Sequence, residues 1–298
     1  MTTLIDKRNI AETQRPAPGK KRGVSLRHYN FLGGLAGWLW LIVVLLPIYW
    51  IVITSFKLQS DYYATNPLVP PSNPTLENYR FVLENDFVRY FMNSVIVTVG
   101  AVGPAVLVSF MAAYAIVRGS AASRFLRGVN GLFLMGLAIP LQAVIIPIYL
   151  IIIKLQMYDT LGAIILPSLA FAIPLSVLVL GNFVRDVPKE LFESMRMDGA
   201  TEWGTLWRLA FPLTRPALVT VTIYQGLTVW NGFILPLILT QTPEQRTLPL
   251  ALWSFQGQYS INIPAVLASV VLTTLPILTL YVIGRRQLLS GLTAGFSK

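Results

Sequence analysis

The 298-residue chain is 54% apolar and 12% charged, about half the charge density of a soluble globular protein, which argues against an ordinary water-soluble enzyme. Its formal net charge of +10 leaves two uses for the excess base, nucleic acid or membrane orientation. With no cysteine and one histidine, His28, the chain offers no disulfide framework, thiolate catalysis or Cys-based metal site, and little histidine chemistry.

Residues 1–30 are polar and basic, with Pro16, Pro18 and Gly19 among the charges, and read as a disordered tail held near anionic lipid. Six stretches then follow that lack Asp, Glu, Lys, Arg and His: 31–54, 91–117, 129–153, 161–184, 216–240 and 262–284. Each exceeds the ~20 residues needed to cross a hydrocarbon layer as a helix. Runs such as Leu41-Ile42-Val43-Val44-Leu45-Leu46 do not alternate as barrel strands would. The expected architecture is an all-α membrane protein with six transmembrane helices and a tail over 285–298. Ten of the 20 prolines fall inside the six stretches, where each removes a backbone bond and tends to kink its helix.

Placing the segments on alternate sides puts 18 Lys and Arg residues on the face that carries both termini and the 118–128 and 185–215 loops, against five on the other. The positive-inside rule makes the first face cytoplasmic. The basic excess is therefore a topology signal, and no nucleic-acid partner is expected, because no basic soluble domain interrupts the spans.

The 185–215 loop offsets its five basic residues with Asp186, Glu190, Glu193, Asp198 and Glu202. Asp186 and Pro188 suit a helix start, so 188–198 reads as a short helix and Gly199 as a sharp turn. From Trp203 the apolar residues recur at Leu206, Trp207 and Ala210, one helix face, before Pro212 and Pro216 end the element and open the fifth span. A charged amphipathic hairpin on a lipid-buried bundle suits either a docking site for a soluble partner or a hairpin resting on headgroups.

These residues resemble a known family. Glu193-Ser-Met-Arg-Met-Asp198-Gly199-Ala200, followed by Leu206, Leu209, Phe211, Pro212-Leu213 and Pro216, is similar to the EAA loop of ABC importer permeases. Ser194 and Met195 replace the two alanines of that pattern, and Met195 makes the helix bulkier. Further likeness to the carbohydrate branch, MalG-type, runs through Thr54-Ser55-Phe56-Lys57, Asn73-Pro-Thr-Leu-Glu-Asn78-Tyr79, Asn93-Ser94, Trp230-Asn231 and Gly291-Leu-Thr-Ala-Gly295. The resemblance implies a MetI-like permease fold in the cytoplasmic (inner) membrane of a prokaryote. It also implies a second, MalF-type permease, two ABC ATPase subunits and an extracytoplasmic sugar-binding protein as partners. The chain has no Gly-x-x-x-x-Gly-Lys-Ser/Thr loop, so ATP and Mg are expected on the ATPase subunits, with no cofactor and no enzymatic activity here.

On that reading the hairpin couples to the ATPase through Glu190, Glu193, Arg196, Asp198, Gly199, Ala200, Leu206 and Pro212. Glu193 would pair with a basic residue of the ATPase, with helix capping as an alternative role for Asp198. Reversing the charge of Glu193 together with Gly199→Val is expected to uncouple transport, whereas equal changes at Arg118 or Arg285 are not. Spans without charge argue against an ion relay and suit a neutral, hydroxyl-rich solute. Pathway candidates are Asn93, Gln142, Tyr224, Gln225, Trp230 and Asn231, with Tyr224, Gln225 and Asn231 on one helix face; each could equally serve helix packing. Another polar solute, such as a glycerol-phosphate or polyol, remains open, as does a secondary transporter; a membrane-embedded enzyme would need a constellation that the chain lacks.

Overall fold

A computed structural model describes residues 31–119, 123–252 and 262–294. The 1–30 tail, the end of the tail from residue 295 and the 253–261 stretch lie outside the described residues. Every regular element within them is helical. Contacts divide the chain into two compact units, residues 1–47 and 48–298.

The described part of the first unit belongs to helix α1 (Phe31–Ser55). Trp38, Trp40, Ile42 and Val43 there are all more than half exposed, which for side chains this apolar marks a surface that faces hydrocarbon or protein rather than water.

In the second unit the chain after α1 folds into α2 (Gln59–Ala64) and α3 (Glu77–Glu84). The side-chain amide of Asn78 donates to Ser55 O (2.9 Å) and Lys57 O (2.7 Å), and the hydroxyls of Ser55 and Tyr79 lie 2.7 Å apart. Lys57 is only 1% exposed, and its ammonium donates to Asn66 O at 3.0 Å. A buried cation is tolerated only where such acceptors replace its water. The Thr54–Lys57 and Asn78–Tyr79 signatures are thus two halves of one interlocked corner.

The bundle itself is α4 (Phe87–Arg118), α7 (Leu161–Asp186), α10 (Phe211–Trp230) and α13 (Ile263–Ala294). The α4 and α7 pair shares the most extensive packing, and α10 lies against both and against α13. Between α4 and α7 run α5 (Arg124–Leu137) and α6 (Leu141–Lys154). Side-chain hydroxyls start two of these helices: Ser123 accepts from Leu126 N, and Thr160 from Ala163 N.

Three apolar stretches depart from the single spans and the boundaries read from the sequence. The 129–153 stretch is two helices meeting at 106°, because Pro140 caps α6 in an extended conformation and cannot continue α5. The 216–240 stretch stops at Trp230 and resumes as α11 (Ile234–Leu239). The 262–284 stretch runs on as helix to Ala294, through most of what was expected to be a tail. Phe87–Arg118, Leu161–Asp186 and Gly33–Ser55 are each long and apolar enough to span alone, and the bent α5–α6 pair makes a fourth. All six apolar stretches fall on helices.

Candidate functional site: a coupling hairpin and a cavity

Residues 187–210 build the hairpin. Its first arm is α8 (Lys189–Met197), which ends in a paired backbone motif: Ala200 N–H bonds Met195 O at 2.9 Å and Gly199 N–H bonds Arg196 O at 3.0 Å. That double closure needs a left-handed residue between helix and exit, and Gly199 sits at φ +77. Asp198 is the C-cap residue. The second arm starts at α9 (Glu202–Thr205), where the Thr201 hydroxyl accepts from Gly204 N–H. It continues without a break through a π-helical turn, Leu206–Ala210, into α10.

Pro212 and Pro216 therefore do not end the element. Pro212 has no N–H to return to Arg208 O, and the wider turn, with Phe211 N–H bonded to Leu206 O, absorbs the mismatch. Hairpin and fifth span are one rod.

The underside of the hairpin is buried. Phe192, Leu206 and Ala210 join Phe110, Ala113 and Tyr114 of α4 and Val184 of α7 in one apolar cluster. Trp207 and Phe211 pack against Phe110, with ring centroids 6.2 and 5.9 Å apart. Two polar ties reinforce it. The Tyr114 hydroxyl donates to Glu202 Oε2 at 2.7 Å, and Arg196 Nη2 lies 2.8 Å from Glu202 Oε1. The Arg118 guanidinium rests 4.1 Å from the centroid of the Phe192 ring. Arg118 is consequently part of the hairpin's support and unsuitable as the neutral control expected from its position in sequence. The hydrogen bond from Tyr114, then that from Arg196, holds the Glu202 carboxyl below its ordinary pKa. An exposed ion pair contributes about 0–1 kcal/mol, whereas a bond from a buried hydroxyl to a carboxylate is worth about 1.5–3 kcal/mol, so Tyr114 is the stronger tie.

On the outer side, Glu190, Glu193, Asp198 and Gly199 are exposed, and the three carboxylates make no ion pair among the described residues. Met197 is 88% exposed. Leu206 belongs to the buried side, Ala200 is half-buried and Pro212 exposed. The sequence missed Tyr114, Arg118, Phe192 and Glu202 as a set; the available signal was a tyrosine hydroxyl one turn before the charged end of an apolar span.

Toward the opposite ends of α4 and α10 lies a cavity of about 410 Å³, walled by α4, the α5–α6 bend, α7, α10 and α11. Its lining is largely apolar, with Ser94, Ser168, Tyr224, Gln225, Thr228 and Thr247 as polar members and no Lys, Arg, Asp or Glu. Trp230 lines it too, 7% exposed, its ring edge-on to Phe91. The Trp230 indole N–H and the Thr247 hydroxyl are buried without a hydrogen-bond partner among the described residues, an arrangement that costs about 1–3 kcal/mol for each group.

The six pathway candidates separate here. Tyr224, Gln225 and Trp230 line the cavity. Gln225 also fastens α10 to α7, its amide donating to Ala172 O at 3.0 Å and Ser176 Oγ at 3.3 Å. Asn231 lies outside the lining: the helix has ended, and its amide caps Leu227 O at 2.8 Å. Gln142 is exposed on α6, away from the lining. Asn93 is 8% exposed, and its amide donates to Glu244 O (2.8 Å) and Arg246 O (2.9 Å), while Ser94 accepts from Leu248 N–H (2.8 Å). The Asn-Ser pair thus pins the 243–248 segment, whose Thr247 completes the cavity wall. A second pin is Asp159, which accepts from the N–H groups of Gln241 (2.8 Å) and Thr242 (3.0 Å). The Gln241 bond leads in holding its carboxyl below the ordinary range. Among the described residues no group of three or more His, Asp or Glu is placed to hold a metal ion.

Residues 105–288, which contain both the hairpin and most of the cavity wall, match the family described as binding-protein-dependent transport system inner membrane component. The chain belongs to that family. Among its relatives, a putative ABC transporter permease protein, ORF2, of Caldicellulosiruptor sp. strain Rt8B.4 is 38% identical, covering 87% of this chain and 94% of its own length. The diacetylchitobiose uptake system permease protein DasC of Streptomyces coelicolor is 35% identical over 85% of this chain and 91% of its own. A crystal structure of a bacterial ABC transporter involved in the import of the acidic polysaccharide alginate contains a chain with the same fold, at a TM-score of 0.77 and 21% identity, covering 91% of this chain and 99% of that one. As an inner-membrane component of such a system, the chain is a multi-pass permease subunit that works within an assembly, and it is not the catalytic part.

Proposed function

We propose that this permease subunit forms half of the import pathway for a neutral sugar or oligosaccharide and takes its motion from ATPase subunits through the 187–210 hairpin. The observation that carries this reading is the two-sided construction of the hairpin. Its inner side is bound into α4 and α7, while its outer side presents Glu190, Glu193 and Asp198, which form no ion pair among the described residues. Such carboxylates suit the basic residues of a partner. In the assembly we envisage, two ABC ATPase subunits hold ATP and Mg, a MalF-type sister subunit supplies the other half of the pathway, and an extracytoplasmic sugar-binding protein delivers the solute. Both termini and the hairpin face the cytoplasm of a prokaryote, in keeping with the distribution of Lys and Arg.

The cavity supports a neutral, hydroxyl-bearing solute. Tyr224, Phe171 and Phe233 offer faces for C–H surfaces, and the Trp230 N–H and Thr247 hydroxyl lack partners among the described residues. A glycerol-phosphate would require a cation, and the lining carries none. Relatives named for diacetylchitobiose and arabinooligosaccharides support the same class.

Trp230→Phe tests the solute reading by deleting one N–H and keeping a ring. In the reconstituted complex the KM for uptake should rise about tenfold, while the melting temperature stays level or rises because an unpartnered donor has gone. An unchanged KM would remove Trp230 from the pathway.

A further inference from the structure

The hairpin reaches the bundle by two kinds of connection. Covalently, α8 continues α7 through Val187 and Pro188, and α9 runs through the π turn into α10. These routes would carry a displacement into α7 and α10 only. The strongest non-covalent connection goes elsewhere, to the last turns of α4, where Tyr114 and Arg118 reach Glu202 and Phe192.

Glu202 has an unusual position within this connection. It is the first residue of α9, yet one carboxylate oxygen takes the Tyr114 hydroxyl from α4 and the other takes the Arg196 guanidinium from α8. A single side chain therefore ties α8 and α9 to α4, a helix that the chain joins directly to neither. Tyr114 is buried, so its hydroxyl is fixed in place by the apolar cluster around its ring. The second contact, the Arg118 guanidinium over the Phe192 ring, lies one turn further along α4 and grips the buried side of α8. Together the two contacts oppose both sliding and lifting of α8 relative to α4, whereas the four residues between α8 and α9, with Gly199 among them, resist neither.

We propose that Glu202 and Tyr114 are positioning residues for energy coupling: they clasp the hairpin to the end of α4, so that α4 moves with the hairpin instead of being left behind. This rests on the reading of the hairpin as the ATPase-docking element and names the helix that receives its displacement. Because α4 also lines the cavity with Ser94 and Val97, the clasp joins the docking element to the cavity wall along one continuous helix. Tyr114 is buried, and Glu202, although exposed, has both carboxylate oxygens engaged within the chain, so neither belongs to the unpaired set offered to the ATPase.

The test uses the complete importer in proteoliposomes, with Tyr114→Phe, Glu202→Ala and the double variant. Tyr114→Phe removes one oxygen and leaves the ring in the cluster. The expected result is that each variant still captures the ATPase, that uptake per ATP hydrolysed falls about fivefold in Tyr114→Phe, and that the double variant is no worse than Glu202→Ala, because Glu202→Ala already removes the bond that Tyr114→Phe breaks, along with the Arg196 pair. Unchanged uptake per ATP in Tyr114→Phe, or losses that multiply in the double variant, would overturn the proposal. A second measurement does not depend on transport. The chain has no cysteine, so spin labels at Met197→Cys and Ala115→Cys report the α8-to-α4 distance directly. A single narrow distance should broaden on Tyr114→Phe, and an equally narrow distribution in that variant would also reject the clasp. Failure of the docking reading is scored separately. Retained ATPase capture by Glu193→Lys would reject docking, whereas normal capture with normal uptake per ATP in Tyr114→Phe rejects the clasp alone.

Discussion

Replacing Gly199 isolates how much the hairpin depends on one backbone conformation. The residue lies at φ +77, and a Cβ built there meets nothing within 4 Å. The cost of Gly199→Ala is thus conformational rather than steric, about 1–2 kcal/mol for an L-residue held in the left-handed region. Gly199→Asn should cost less, since Asn occupies that region more readily. The energy is read at the amide of Ala200, whose bond to Met195 O exists only while Gly199 keeps its conformation. A loss of 1–2 kcal/mol corresponds to opening that is about 5–30 times more frequent. Hydrogen exchange at Ala200 in the intact complex should therefore accelerate by that factor in Gly199→Ala and by clearly less in Gly199→Asn, with Gly199→Val faster than both. Equal rates in the Ala and Asn variants, or no acceleration in Ala, would refute the assignment of the cost to the left-handed turn.

Two further outcomes follow from the opposite end of the bundle. Asn93→Ala gives up two bonds to the 243–248 segment, about 2 kcal/mol in all, and should lower the melting temperature of the detergent-purified subunit. Asn93→Asp should lower it more, because a carboxylate then faces the Glu244 and Arg246 carbonyls; an Asp variant as stable as wild type would contradict this geometry. The Asp159 pin should respond to acid. Its folded pKa is depressed, so its contribution is complete above the unfolded carboxylate value of about 3.9 and is lost as pH falls through the lower folded value. Protection of the Gln241 and Thr242 amides should persist down to about pH 4 and fail only below it; loss of protection already at pH 6 would remove Asp159 as the cause.

The features legible in the sequence were those with a local physical signature. Uncharged runs marked the apolar helices, and a glycine directly after the short 188–198 helix marked the turn now seen at φ +77. Apolar periodicity gave Leu206, Trp207 and Ala210 on the packed face of the second arm, although Trp203 at its start is exposed. Features that depend on two distant segments stayed hidden. Pro140 reads as one more proline in an apolar run, yet it sets a 106° bend, because composition does not say whether a neighbouring helix will support a kink. Pro212 reads as a terminator, and only the continuous π turn shows that the rod passes through it. Tyr114 and Glu202 are 88 residues apart, so neither predicts the other. Tyr224, Gln225 and Asn231 share a face only if the helix continues, and it ends one residue too early. Asn93 was legible as a signature but not as a pin, since its partners lie more than 150 residues away.

The central claim is that the exposed side of α8 is where the motor protein sits. The natural absence of cysteine permits a direct measurement: a single cysteine at Glu193, bearing a short photoreactive crosslinker, in the assembled importer during turnover, with a cysteine at Glu244 as the control at the opposite end. The account predicts crosslinks from position 193 to the ATPase chain and none to it from position 244. ATPase adducts from position 244, or none from position 193 in any nucleotide state, would contradict it.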